Sequence, residues 1–233
     1  MSDETTYIQA VGLGLDPAWR RLPADDQAAD IAVLLAAEAA TTAAGIRTLT
    51  YSTVGLEVGV DILLFRLAPS VEALETAGAR LARSGLGHWL TVRHSLLGLI
   101  GPSQYVRKPS DQERSVLDGE PRDYLVVYPF TKSTDWYLQS REERQAIMNG
   151  HMKVGHQYPT VRQLLAYSFG LDDQDFVVAY DMDDLAAFGA LVRELRGTES
   201  RRSTVRDTPL LLGVRRPLPE ILGRLVDLPK ADR

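Results

Sequence analysis

The chain has 233 residues, 45% hydrophobic and 24% charged, the mix of a soluble globular protein with one large domain or two small ones sharing a core. Its formal net charge of -5 argues against a bulk electrostatic grip on nucleic acid. With no cysteine, disulfides, zinc–thiolate sites, iron–sulfur clusters and a thiol nucleophile are excluded. The first residues, MSDETTYIQA, are acidic and polar and show no signal-peptide core, and a cytoplasmic protein is expected. The longest apolar stretch, Ile31 to Ala40, is interrupted by Glu38 and is too short to span a bilayer.

β-branched and aromatic runs mark strands, and 3.6-residue apolar spacing marks helices. In chain order the first half predicts a strand (~6–13), helix (~25–43), strand (~46–54), strand (~58–66), helix (~70–83) and strand (~90–99). A polar linker with Pro and Gly follows over about 101–122, GPSQYVRKPSDQERSVLDGEPR. The second half predicts a strand (~123–131), helix (~139–156), strand (~161–169), strand (~174–182), helix (~183–196) and strand (~207–213). Pro217 to Val226 reads as a short closing helix.

Each half is therefore β-α-β-β-α-β, the ferredoxin-like order. The expected organisation is an N-terminal half over 1–100, the linker, and a C-terminal half over 123–233. A sequence repeat agrees with it. Trp19 heads WRRLPADDQAADI and Trp136 heads WYLQSREERQAIM, 117 positions later. Ile31 matches Ile147, and Tyr51-Ser52 of YSTVGLE matches Tyr167-Ser168 of YSFGLD, both at an offset of 116. Such a half leaves its sheet with a second face to bury, and two halves in one chain can bury those faces against each other. The fold class expected is α+β, with duplicated ferredoxin-like halves forming an α+β barrel.

The halves differ where chemistry is possible. Ile147, His151, Val154 and Tyr158 fall on one face of the second-half helix. At the offset of 116, His151 corresponds to Leu35, so one half places an imidazole where its mate places an apolar residue. A histidine on an apolar face is either a hydrogen-bonded core residue or a metal ligand. With no cysteine present, a haem iron held by one proximal histidine is a natural candidate for the second case. In YLVVYPFTK, alternation puts Tyr124, Val126, Tyr128 and Phe130 on one strand face. Pro129 cannot donate a ladder hydrogen bond, which predicts an edge or an irregularity there. By themselves Tyr128 reads as packing and Lys132 as a surface charge.

Several stretches together resemble the family that contains the chlorite dismutases and the coproheme decarboxylases. They are YPFTKSTDWYLQSREERQAIMNGHMKVGHQYPTVRQ, then YSFGLDDQDFVVAYDMDDLAAFGALVRELRGTESRR, then PLLLG. In the first half the resemblance rests on the element order and on YSTVGLE. It implies the duplicated ferredoxin-like barrel, homo-oligomers that are commonly pentamers, and His151 as the proximal haem ligand. It makes Glu199 a candidate carboxylate for the other His151 nitrogen, a partner that would fix the ring and raise its basicity. Chlorite dismutases carry an arginine above the iron; counting back from Gly170, this chain has Gln163 there, while Arg162 should point to the other strand face. Decarboxylases of the family have a Tyr-Pro where this chain has Tyr128-Pro129, and some carry a lysine at the place of Lys132.

The resemblance thus favours conversion of coproheme into haem b with hydrogen peroxide as oxidant, the iron porphyrin being both substrate and redox cofactor. Tyr128 would carry the radical, Lys132 would hold a propionate and relay a proton, and Gln163 would shape the distal pocket. Arg196 and Ser200 are the further propionate anchors it implies. A haem-pathway enzyme is a possible transient partner. The competing readings are a chlorite-degrading haem enzyme, a haem-binding or transfer protein without catalysis, and a cofactor-free barrel with a small-molecule cavity.

Overall fold

The computed structural model describes residues 5–101, 105 and 119–226. In the first half β1 (Thr6–Leu15), α1 (Ala24–Ala43), β2 (Arg47–Glu57), β3 (Val60–Ala68), α2 (Val71–Ala82) and β4 (Leu90–Ile100) follow the expected order. Helix α1 opens with Asp25 and Asp26, placed to meet the positive end of its dipole. Helix α2 is capped by the Ser70 hydroxyl, which accepts from the Ala73 N–H at 3.1 Å. β2 and β3 are joined by a tight turn through Gly59, whose φ of 72° lies in the left-handed region that a side chain resists.

The chain divides into two compact units, residues 1–97 with 213–233, and residues 98–212. In the first unit the strand order is β4-β1-β3-β2, with Val11 opposite Leu64 and Tyr51 opposite Leu63. Val11, Leu13, Ile62 and Leu64 pack with Trp19, Leu34 of α1, and Leu81 and Leu86. The closing helix α6 (Leu218–Leu225) adds Leu218, Ile221, Leu222 and Leu225 to the same cluster. The segment from Gly213 onward, expected with the C-terminal half, is therefore part of the first unit. The apolar face of α6 is what carries it there.

The second unit contains β5 (Tyr124–Lys132), a short helix α3 (Thr134–Leu138), α4 (Arg141–Gly155), β6 (Arg162–Tyr167), β7 (Phe176–Met182) and α5 (Leu185–Arg196). A 3-10 turn (Glu199–Ser203), β8 (Thr204–Arg206) and the first two residues of β9 (Leu211–Arg215) complete it. Its order, β9-β5-β7-β6, repeats that of the first unit strand for strand. The helix predicted over ~139–156 starts late because Ser140 and Glu143 form a capping box that begins α4 at Arg141. The strand predicted over ~207–213 is instead two short ones, with Pro209 between them and no N–H to offer. Pro129 does not make β5 an edge: it pairs with β7 from Tyr124 to Phe130 and has β9 as its other neighbour. The irregularity falls at Thr131/Lys132, against β8. Most of the predicted linker, residues 102–104 and 106–118, lies outside the described residues.

Candidate functional site

Three neighbouring strands of the second unit turn every other side chain to one face. β6 presents Gln163, Leu165 and Tyr167; β7 presents Phe176, Val178 and Tyr180; β5 presents Tyr128, Phe130 and Lys132. Register aligns them in rows, with Leu165 beside Val178 and Val178 beside Tyr128. Helices α4 and α5 lie over this face without filling it. A cleft of about 1230 Å³, counted out to the solvent at its mouth, remains. Its walls are mostly aromatic and aliphatic, and its polar rim comes from the end of α5, the 3-10 turn and β8.

His151 projects from α4 into this cleft. Its Nδ1 is buried with no hydrogen-bond partner. Burial, reinforced by the positive charge of Lys132, lowers its pKa to about 4, so the ring is neutral at physiological pH. A buried imidazole nitrogen left unpaired costs ~1–3 kcal/mol, which marks a position waiting for a partner from outside the chain. Glu199 is not that partner: its carboxylate pairs with Arg202 at 3.2 Å on the surface and does not reach His151. This 3-10 turn leaves Glu199 exposed, a feature that residue spacing alone does not reveal.

Lys132 is 7% exposed. Its Nζ donates to the Ser200 carbonyl at 2.7 Å and to the Ser200 hydroxyl at 2.9 Å, and it sits 4.4 Å from the centre of the Trp136 ring. Far from being a surface charge, it is anchored with one ammonium N–H to spare. Burial and the neighbouring Arg201 lower its pKa to about 8. Tyr128 stacks on Tyr180, ring centroids 6.2 Å apart. Burial first, and then Tyr180 and Asp207, push the Tyr128 phenol well above its usual value, so it stays protonated. Burial raises Tyr180 to about 12.

Gln163 lines the cleft. Arg162 lies on the opposite face, as alternation predicts, with its guanidinium 3.0 Å from Asp181 and donating to the Glu120 carbonyl. Arg196 and Ser200 both line the cleft: Arg196 at its rim, 57% exposed and 3.6 Å from Asp207, and Ser200 buried beneath Lys132. The cleft thus gathers Tyr128, Lys132, His151, Gln163, Arg196 and Ser200, and leaves Glu199 outside. It also draws in Tyr180, Arg201, Asp207 and Met148, none of which sequence reasoning singled out. Alternation through DFVVAYDM could have found Tyr180; nothing in the sequence pointed to Asp207.

These residues fit an iron porphyrin. Among the described residues no three His, Asp, Glu or Cys side chains converge on a metal position. One neutral imidazole in an apolar cleft is a donor set for iron whose other ligands come from a macrocycle. The cleft is flanked by a sheet on one side and on the other by α4, a helix of 15 residues with none buried. Its lining carries Lys132, Arg196 and Arg201, counterparts for carboxylates.

Comparison with known proteins agrees. The chlorite dismutase family pattern matches residues 25–216. A coproheme decarboxylase from Mycolicibacterium smegmatis (strain ATCC 700084 / mc(2)155) is 30% identical over 176 residues, 75% of this chain and 75% of that protein. A mutant of chlorite dismutase from Candidatus Nitrospira defluvii superposes with a TM-score of 0.87 at 26% identity over 96% of each chain. The chlorite dismutase of the same organism in complex with imidazole gives 0.85 at 27% identity over 94% of each chain. No described helix is long and apolar enough to cross a membrane. With two β-α-β-β-α-β units of matching strand order and a histidine-bearing cleft in the second, the chain belongs to the chlorite dismutase family.

Proposed function

We propose that this protein binds coproheme and removes carbon dioxide from two of its propionates, using hydrogen peroxide, to give haem b. The observation that carries the reading is the pairing of Tyr128 with His151 in one cleft while Arg162 is held on the opposite sheet face by Asp181. A chlorite-degrading site needs a guanidinium to hold an oxychlorine anion, and the neutral amide of Gln163 is a poor substitute.

Each decarboxylation joins one propionic acid group and one hydrogen peroxide to give a vinyl group, carbon dioxide and two waters. When bound at His151, the porphyrin iron supplies the oxidising capacity drawn from peroxide. The chain's own residues do the rest. Tyr128, kept as a neutral phenol by burial, gives up its hydrogen and takes one from the propionate β-carbon. A second electron, the other of the two that the peroxide takes up, is then given up as the bond to the carboxylate breaks, and the vinyl double bond forms. Lys132, poised near pKa 8 and fixed by Ser200, holds a carboxylate and can pass a proton at neutral pH. Arg196 would anchor another propionate, and Gln163 would offer its amide to the bound group from β6. Glu199 has no role in this scheme. Homo-oligomers, expected as pentamers, and a cytoplasmic location belong to the same reading; light scattering checks the former.

The test is to load the purified protein with ferric coproheme, titrate in hydrogen peroxide, and follow the porphyrin by mass spectrometry. Stepwise loss of two carbon dioxide units is expected. A porphyrin that binds and then bleaches without losing mass as carbon dioxide defeats the proposal, and sustained oxygen release from chlorite would replace it with the chlorite reading.

A further inference from the structure

The scheme above leaves one cluster in the cleft without a role. Among the described residues that line the cleft, Asp207 is the only carboxylate, against Lys132, Arg196 and Arg201. Its Oδ2 lies 2.5 Å from Arg201 Nη1 and 3.6 Å from Arg196 Nη2. One carboxylate oxygen therefore serves two guanidiniums, one at the end of α5 and one in the 3-10 turn that follows. The other nearby guanidinium, Arg206, is turned away and donates to the Thr208 carbonyl.

We propose that Asp207 is a resident stand-in for a substrate carboxylate, so that Arg196 and Arg201 form a two-armed carboxylate receptor passed from Asp207 to a porphyrin propionate on binding and returned when that propionate has become a vinyl group. The inference rests on the porphyrin reading above and names the residues that would distinguish its substrate from its product.

Three features carry it. First, guanidinium forks match any carboxylate, so exchanging one for another preserves the pairing. Second, both ion pairs are partly solvated: the side chains of Asp207, Arg201 and Arg196 are 23%, 35% and 57% exposed. Such pairs hold weakly and exchange readily, and a displaced Asp207 carboxylate can turn to water. Third, the receptor stands beside the reacting residue. Asp207 and Arg196 both act on the Tyr128 phenol, in opposite senses. A vinyl group offers nothing to a guanidinium, so after reaction both arginines favour Asp207 again. Selectivity then arises as a difference between two carboxylates competing for the same arms.

The experiment is a Soret titration with ferric coproheme and with haem b in peroxide-free buffer, which reads binding and not turnover. The proteins are wild type, Asp207→Asn, Asp207→Glu and the double variant Asp207→Asn/Arg201→Gln. Freeing the arms in Asp207→Asn should tighten coproheme about tenfold and haem b less than about threefold. Asp207→Glu, which keeps the competing charge, should retain wild-type selectivity, and the double variant should lose the gain. Equal or weaker coproheme binding by Asp207→Asn, with wild type binding normally, overturns the stand-in and makes Asp207 a positioning residue for the arginines. If wild type forms no Soret complex with either porphyrin, the porphyrin reading fails and this inference falls with it.

Discussion

Helices α1 and α4 occupy matching places in two units of the same topology, and they do opposite things. α1 buries Leu34, Glu38 and Thr41, and α6 helps to fill the core beneath it with four more apolar side chains. α4 fully buries none of its residues, although Val154 packs partly on the second unit's cluster, and part of the face it covers is left as a cleft. Charge follows the same division. In the first unit Arg66 and Glu38 meet at 2.6 Å, nearly sealed from solvent, and neutralise each other. Among the described residues lining the cleft of the second unit, Lys132, Arg196 and Arg201 outnumber Asp207. Under the function proposed above, the first copy of the fold is completed by its own side chains and the second by a ligand.

That contrast is sharpest at Tyr128. Replacing it with Phe keeps the ring on its strand and removes only the hydroxyl. Decarboxylation measured by mass spectrometry should fall by at least about a hundredfold, while the Soret titration with coproheme stays as in wild type. Turnover at a normal rate would remove Tyr128 from the chemistry.

The filled unit should answer to stability in place of activity. Glu38→Ala leaves the Arg66 guanidinium buried and unpaired, which costs ~3–5 kcal/mol. Urea unfolding should show it, with porphyrin binding little changed in the protein that remains folded. The double change Glu38→Leu/Arg66→Met should recover most of the loss, because both buried charges are then gone. A single variant as stable as wild type would mean that the pair is not sealed.

His151 links the two kinds of readout. Its folded pKa, about 4, lies below the usual histidine value of 6.5 because burial and Lys132 oppose its charge. Between those values the unfolded chain binds more protons than the folded one, so stability rises with pH through this window and is lost as pH falls from about 6.5 to about 4. His151→Leu should flatten this part of the stability profile in protein without porphyrin. An unchanged slope would place the proton uptake elsewhere.

Much of this division was legible in the sequence. Period-2 and period-3.6 patterns located the strands and helices because each buries one regular face. The offset of 116 set His151 against Leu35, and the structure packs Leu35 on the first unit's core cluster while His151 lines the cleft. What the sequence hid is what depends on side chains distant along the chain. Lys132 read as a surface charge because its anchor, Ser200, lies 68 residues away. Asp207 became visible only when its two arginines converged on it. Glu199 failed for the opposite reason: its type suited the role, but the turn it sits in faces it outward.

The smallest effect is expected from moving the second unit's signature into the first. Leu35→His places an imidazole against Leu34's cluster at the position that corresponds to His151. Leu35 packs against a core cluster that α6 helps to fill, so no cleft waits for the imidazole there. The change should cost ~1–3 kcal/mol, the penalty of a poorly paired polar group at a partly buried site. It should create no second Soret-active site, and the porphyrin stoichiometry should stay at one per chain. A stoichiometry of two would mean that the histidine alone makes the site. A stoichiometry of one, together with the stability loss, would show that the open face beneath α4 is needed as much as the ligand it carries.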